Sequence, residues 1–159
     1  MVTAELHPQV RPVAFLLGTW VGDGQGAYPT IAPFRYREEI RFSHNGKPFL
    51  AYQQRTQSPE DGRPLHAESG YLRAVGENRV EFVIAQAIGF AEIEVGEVSG
   101  TRIDLQTASF ERTPTAKTVI AVRRSIWLSD EDLVYELGMA MHSVPMTHHL
   151  SARLTRTGI

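Results

Sequence analysis

Hydrophobic and polar residues alternate along most of this chain, a pattern that predicts strands with one buried face. The clearest segment spans residues 34–42, where one side is aromatic or aliphatic and the other is charged. Glu38 is the one charge on the apolar side, so it is either a carboxylate inside the fold or the partner of an interior arginine. A second segment, residues 91–95, alternates between apolar residues and glutamates.

Turn signals separate the alternating segments at regular intervals. Asn45-Gly46 is typical of a hairpin turn, and Asp61-Gly62 marks a longer connection. The predicted strands begin near Gly18 and continue as residues 34–42, 49–56, 65–74, 79–86, 91–95, 102–107, 118–128, 133–141 and 148–156. About ten strands at this spacing favour an antiparallel meander that closes on itself, because closure leaves no exposed edge. We therefore predict an all-β fold, an up-and-down β-barrel.

A helix is predicted in one place, near the N-terminus. Val10, Val13, Ala14 and Leu17 follow a helical spacing, which fits one or two turns that lead into the first strand. No internal repeat, linker or shift in composition divides the chain, so one domain is expected to span residues 1–159, with residues 1–9 flexible.

Composition narrows the function classes. The 159 residues are 42% hydrophobic, enough for one buried core, and the absence of cysteine excludes disulfides, thiolate nucleophiles and cysteine-bound metals. A net charge of −2 without basic runs argues against nucleic-acid binding. The N-terminus lacks the apolar region of a signal peptide, and no apolar stretch is long enough to span a membrane. We expect a cytoplasmic protein without nucleic-acid or membrane partners.

The run from Gly18 to Thr30 combines a tryptophan, four glycines and a proline-fixed turn. Glycine allows another backbone or a ligand to come close, and Trp20 offers a flat surface whose indole N–H needs a partner. Two interpretations stay open. The run is a barrel mouth in which Trp20 contacts a cofactor, or it is a first strand bent by glycines around a core tryptophan.

The candidate chemistry lies in polar residues that lean into the barrel, which are His66, Glu38, Arg153 and His149. His148 and His149 are neighbours in a strand and point to opposite sides, so the pair does not chelate one metal ion. An inward His149 is either a satisfied core histidine or the lone axial ligand of a cofactor such as haem, which supplies its other ligands itself. His66 either faces the same cavity or caps a turn.

Other features carry less specific chemistry. Tyr135, Met139 and Met141 form a row at strand spacing, which is typical of core packing and, as the alternative, of contact with a flat ligand. No Ser-His-Asp order, nucleophile elbow or phosphate-binding loop is present in the sequence. Hydrolytic chemistry therefore finds no support.

Several motifs, in order, resemble the nitrobindins, small haem-binding barrels related in fold to fatty-acid-binding proteins. They are Gly18-Thr19-Trp20-Val21-Gly22-Asp23-Gly24, Tyr28-Pro29-Thr30-Ile31, Phe34-Arg35-Tyr36-Arg37-Glu38-Glu39, His66-Ala67-Glu68-Ser69-Gly70-Tyr71, Val83-Ile84-Ala85-Gln86 and His149-Leu150. The resemblance covers nearly the whole chain, from about Leu16 to Arg156.

This resemblance implies ferric haem b at the barrel mouth, with His149 as the axial iron ligand. It places Thr30 against the haem and His66 over the distal face without a bond to iron. Leu65 departs from relatives that carry methionine there, which changes the distal pocket. The family binds nitric oxide and isomerises peroxynitrite to nitrate, so His149 and His66 become the catalytic candidates and these small molecules the expected partners.

A competing hypothesis is a lipid carrier. The same barrel, with Arg153 and Tyr36 inside, would clamp a fatty-acid carboxylate without haem or catalysis. The inward His149 is the sequence feature that favours haem. Either protein is expected to be a monomer or a homodimer.

Overall fold

The computed structural model describes residues 4–159 and consists of a 3₁₀ helix, Pro8–Leu16, followed by ten strands. The strands are β1 (Gly18–Tyr28), β2 (Ile31–Ser43), β3 (Phe49–Gln57), β4 (Pro64–Val75), β5 (Arg79–Gln86), β6 (Phe90–Ser99), β7 (Arg102–Arg112), β8 (Val119–Ser129), β9 (Asp132–Met141) and β10 (Val144–Gly158). Each strand pairs antiparallel with the next, and β10 pairs with β1 to close the barrel. The predicted all-β, up-and-down barrel with a short N-terminal helix is confirmed.

Three strands extend well beyond their predicted bounds. β6 continues to Ser99, β7 continues to Arg112, and β10 begins at Val144, ahead of Pro145. Proline is tolerated there because it lies next to the first residue of the strand, where little of the hydrogen-bond ladder is lost. Within residues 4–159 there is no helix long and apolar enough to cross a membrane.

The flexibility predicted for residues 1–9 stays a prediction. Residues 1–3 of that segment lie outside the described residues. Leu6 packs against the core, and Pro8 and Gln9 belong to the helix. The His7 side chain accepts a hydrogen bond from the backbone N–H of Gln9 at the start of the helix.

The helix closes one end of the barrel. Val10, Val13 and Leu16 are fully buried against the barrel core. Trp20, at the start of β1, is also fully buried and donates its indole N–H to the Leu16 carbonyl at 2.7 Å. The opposite, open end carries the β1–β2, β3–β4, β5–β6, β7–β8 and β9–β10 turns.

The interior is polar in its middle layer. Glu92 and Glu94 of β6 are buried, whereas Ile93 between them is 40% exposed. The glutamates therefore face the inside of the barrel and the apolar residues face solvent, which reverses the usual preference. Arg124 of β8, which is buried beside them, compensates the charge.

Candidate functional site

A β-bulge positions His149 near the open end of the barrel. On β9 and β10, His148 pairs with Gly138 and Leu150 pairs with Leu137, so His149 is an extra residue with no partner across the pair. Bulges interrupt the alternation of faces and re-aim a side chain. Ala152 further along β10 is buried as alternation requires, whereas the bulge decides the direction of His149.

Contacts with β1 and β2 hold the His149 ring. Its Nδ1 lies 3.0 Å from the carbonyl oxygen of Ala27, and its ring meets Tyr28 edge-on at 5.3 Å and Phe34 at 6.3 Å between centroids. A carbonyl only accepts, so Nδ1 carries the proton and the lone pair remains on Nε2. Burial lowers the pKa of His149, which keeps the imidazole neutral at neutral pH.

An apolar cluster surrounds this end of the barrel. Its buried members are Phe90, Val119, Val122 and Leu137, and its partly buried members are Phe110, Ala116, Met139, Met141 and Leu150. Tyr28 fastens β1 to this cluster by donating its hydroxyl to the Met139 carbonyl at 3.1 Å. Met139 and Met141 thus belong to the open end, at the edge of a lining that excludes water.

His66 faces a carboxylate inside the same end of the barrel. Its Nε2 lies 3.3 Å from Oε2 of Glu68, two residues further along β4, and its side chain is 26% exposed. The other oxygen of Glu68, Oε1, accepts hydrogen bonds from the Tyr52 hydroxyl at 2.6 Å and from Nη1 of Arg124 at 3.2 Å. His66 is therefore the outermost member of a polar network that continues into the barrel.

Arg124 is the centre of that network. Its Nε lies 3.2 Å from both carboxylate oxygens of Glu94, and its Nη2 lies 3.7 Å from Glu92. Gln86 donates its amide to the same Glu92 oxygen at 2.8 Å. The guanidinium also stands over the Phe82 ring, 5.5 Å from its centroid.

A second part of the network surrounds Glu38, which is 3% exposed. Gln54 donates its amide to Oε1 at 2.7 Å, and Tyr135 donates its hydroxyl to Oε2 at 2.8 Å. The Tyr135 hydroxyl also lies 2.7 Å from that of Tyr36. Of the two alternatives the sequence left open, Glu38 is thus an interior carboxylate, held by neutral donors and not by a direct ion pair with arginine.

The buried carboxylates differ in protonation. Burial raises the pKa of Glu38 to about 7 and also raises that of Glu94 to about 7, although Arg124 opposes the shift of Glu94. Burial acts on Glu68 in the same direction, but Arg124, His66 and Tyr52 outweigh it and lower the pKa of Glu68 to about 2. Near neutral pH Glu68 is the ionised partner of Arg124, while Glu38 and Glu94 hold protons part of the time.

The structure brings most of the sequence candidates to the open end. Thr30 lies exposed in the β1–β2 turn beside Tyr28, and Leu65, at the start of β4 next to His66, is 40% exposed. Both lie at the end that carries His149. Their contact with a cofactor stays a prediction.

Two candidates lie elsewhere. Trp20 is eight residues before Tyr28 on β1, about 26 Å at 3.3 Å per residue, and is packed at the closed end against the helix with Arg156 stacked on its ring at 4.4 Å. Trp20 is therefore a core tryptophan of the first strand, and the structure does not place it near His149. Arg153 points outward and pairs with Asp132 at 2.9 Å, so its predicted interior position is wrong. Alternation beyond the bulge places it outside.

Sequence reasoning missed Arg124 and the inward direction of Glu92 and Glu94. One signal was available: Arg124 stands between Val122 and Ile126 on the apolar side of its strand, as Glu38 does in β2. A charge on an inner face indicates that other interior polar groups compensate it.

The residues at the open end fit a flat iron cofactor with one protein ligand. His149 Nε2 has no hydrogen-bond partner among residues 4–159, its Nδ1 is anchored, and apolar side chains surround the site. A metal-ligating histidine ordinarily donates its other N–H to a carbonyl or carboxylate, as His149 does to Ala27.

Comparison with known proteins gives matches over nearly the whole chain. A family model described as the THAP4-like, heme-binding β-barrel domain matches residues 9–156. A protein named peroxynitrite isomerase 2 from Mycobacterium marinum is 49% identical over 157 residues, covering 96% of this chain and 98% of its own length. Peroxynitrite isomerase 1 from Rhodococcus jostii is 49% identical over 139 residues, covering 87% of this chain and 79% of its own.

A solved structure shows the same fold. The crystal structure of Rv2717c from M. tuberculosis has a TM-score of 0.90 and 45% identity, and the match covers 96% of this chain and 99% of that one. The resemblance to haem-binding barrels stated from the sequence is thereby confirmed, and this chain belongs to the family of THAP4-like, heme-binding β-barrel domains.

Proposed function

We propose that this protein is a ferric haem b protein that binds nitric oxide and isomerises peroxynitrite to nitrate. Membership of a haem-binding family and the similarity to proteins named peroxynitrite isomerase support the cofactor and the reaction. The observation that carries the proposal is the bulged His149, whose Nδ1 is fixed by the Ala27 carbonyl and whose Nε2 is left for a metal.

Bound haem would supply a Lewis-acidic, redox-active iron. The chain's own residues then do three things. His149 holds the iron, and the Ala27 carbonyl keeps its tautomer and orientation. Tyr28 and Phe34 pack against the ring and limit its rotation. The apolar cluster of the open end keeps water from the reacting molecule.

His66 is the candidate for proton handling. It is partly exposed and tied to Glu68, so the bond to Glu68 limits its movement toward an iron. An imidazole nitrogen can accept or donate a proton, which suits a ligand that exists as an acid and as its anion. We infer that His66 tunes the reaction and does not hold the metal.

The structure does not provide the fatty-acid binding site that the lipid-carrier alternative requires. Arg153, which was to bind the carboxylate, is on the outer surface, and the Tyr36 hydroxyl is hydrogen-bonded to Tyr135. The buried Arg124 already contacts the carboxylates of Glu68 and Glu94. A further buried carboxylate would add negative charge to an interior already rich in it.

Titration of the haem-free protein with haemin tests the cofactor site. His149→Ala is expected to weaken haem binding by more than about 100-fold, since loss of an outer-shell partner alone costs about 10–100-fold. The matched control is His148→Ala, because His148 is exposed and adjacent. Circular dichroism verifies that both variants fold. Equal haem binding by the two variants would refute the ligand assignment.

Stopped-flow decay of peroxynitrite tests the reaction. The rate is expected to rise in proportion to ferric holoprotein, with nitrate formed at the expense of nitrite, because the iron provides the Lewis acid. Haem-free protein and His149→Ala should show the uncatalysed rate. Equal rates with and without haem would leave a nitric oxide or haem carrier as the function.

A further inference from the structure

The pair formed by His66 and Glu68 has an asymmetry that determines where His66 carries its proton. Oε2 of Glu68 faces Nε2 of His66 at 3.3 Å, while Oε1 accepts from Tyr52 and Arg124. We propose that Glu68 is a positioning residue that fixes His66 in the Nε2–H tautomer and leaves Nδ1 as a proton acceptor for a ligand in the barrel mouth. The effect on a ligand rests on the proposed function, whereas the tautomer does not.

Glu68 has no proton to give to His66. Two donors converge on Oε1, the Tyr52 hydroxyl at 2.6 Å and Nη1 of Arg124 at 3.2 Å, and both favour the ionised carboxylate. Although burial raises the pKa of Glu68, the charge of Arg124 and the contacts with His66 and Tyr52 together lower it to about 2, and the contacts of Arg124 and Tyr52 do not involve His66. Oε2 of the ionised carboxylate only accepts, so His66 must donate to it from Nε2.

The other charged groups near His66 do not offer a proton to Nδ1. Oε1 of Glu92 on β6 accepts from the Gln86 amide, and its Oε2 has no hydrogen-bond partner among residues 4–159, His66 included. Arg124 of β8 points its nitrogens at Glu68 and Glu94. In the part of the chain that the structure describes, Nδ1 of His66 has no hydrogen-bond partner. With the side chain 26% exposed, this nitrogen remains available to a ligand.

The tautomer decides which ligand His66 assists. A neutral ring with a lone pair on Nδ1 accepts a hydrogen bond from a protonated ligand and does not donate one to a bound diatomic. Peroxynitrous acid has such a proton. Its O–H bond breaks, an N–H bond forms at Nδ1, and the electron pair stays on the oxidant as its anion. Nitrate needs no proton back, so the imidazolium returns the proton to water.

Glu68→Gln gives a sharp test, because the two oxygens of Glu68 have different partners. In the wild type both Tyr52 and Arg124 donate to Oε1, and a guanidinium cannot accept a hydrogen bond. If Tyr52 keeps this contact, the amide oxygen of the variant should therefore occupy the Oε1 position. The amide NH₂ then faces His66 and donates to Nε2, which moves the ring proton to Nδ1. The variant is therefore expected to invert the tautomer of His66.

The measurement is a long-range ¹H–¹⁵N correlation spectrum of the full-length, haem-free chain at about pH 8, above the ordinary imidazole titration. The wild type should show His66 as Nε2–H and Glu68→Gln as Nδ1–H. The matched control Glu81→Gln removes a carboxylate that pairs with Arg73 on the outer surface, and should leave the wild-type tautomer.

Several outcomes overturn the proposal. A wild-type His66 protonated on Nδ1 refutes it without any variant, so the test survives a Glu68→Gln protein that fails to fold. An unchanged tautomer in folded Glu68→Gln also refutes it. Tyr52→Phe, which keeps Glu68 and Arg124, should keep the Nε2–H form, and an inversion there would assign control to Tyr52. Failure of haem binding would refute the proposed function and leave this result intact.

Discussion

Glu38→Gln should change how the stability of the barrel depends on pH. Glu38 is 3% exposed and is hydrogen-bonded by Gln54 and Tyr135, and burial raises its pKa from 4.5 to about 7. The folded state therefore favours the protonated acid. Glutamine has nearly the same shape but no proton to lose, so the variant removes the pH-dependent term and little else.

The sign and size of the change in unfolding free energy follow from the difference between the pKa values of Glu38 in the folded and unfolded states. Below about pH 4.5 Glu38 is protonated in both the folded and the unfolded state, and its ionisation costs nothing. Between about pH 4.5 and 7 the unfolded chain ionises and the folded chain does not, so the free energy of unfolding falls. The loss is complete above pH 7 and amounts to about 3 kcal/mol, at about 1.4 kcal/mol for each pKa unit.

Urea unfolding, followed by circular dichroism at several pH values between about 4 and 8, measures this term. Relative to the wild type, Glu38→Gln should gain about 3 kcal/mol in unfolding free energy across that range. Burial raises the pKa of Glu94 as well, so the unfolding free energy of the Glu38→Gln variant still falls as the pH rises, though by less than in the wild type. The control Glu39→Gln changes an outer-face residue paired with Arg55 and should shift stability by less than about 1 kcal/mol. A difference between wild type and Glu38→Gln that does not vary with pH would refute the reasoning.

Three further predictions follow from the same contacts. The resting ferric protein should have a high-spin, five-coordinate absorption spectrum that shifts with nitric oxide, because Glu68 holds the His66 ring; a low-spin spectrum that His66→Ala abolishes would contradict this. Trp20→Phe should lower the free energy of unfolding by about 1–3 kcal/mol by leaving the Leu16 carbonyl unpaired, with haem affinity unchanged in the same titration. Arg124→Met should cost about 3–5 kcal/mol in urea unfolding, since it leaves buried carboxylates without their cation, and a neutral effect would show that they are all protonated.

Much of the fold could be predicted from local sequence. Alternation fixes a strand wherever one face is apolar, as in residues 34–42, and Asn45-Gly46 turns the chain without any long-range information. The buried position of Glu38 also followed, because its neighbours at strand spacing are aromatic or aliphatic. His149 and His66 were candidates from their positions in predicted strands, and the resemblance between whole motifs supplied their expected roles. The open end of the barrel carries both.

What only the tertiary structure decided depends on residues far apart in the chain. Alternation in β6 separates Glu92 and Glu94 from Ile93, but the side that faces inward depends on Arg124, which comes from another strand and contacts both carboxyl groups.

The direction of His149 is likewise a property of strand pairing. The sequence by itself determined a ten-stranded barrel and a histidine near the end of the chain. The slip between β9 and β10 at His148 and Leu150, and the Ala27 carbonyl that anchors the ring, determined which way that histidine points. A bulge arises from the register of two strands, so alternation along one strand does not reveal it.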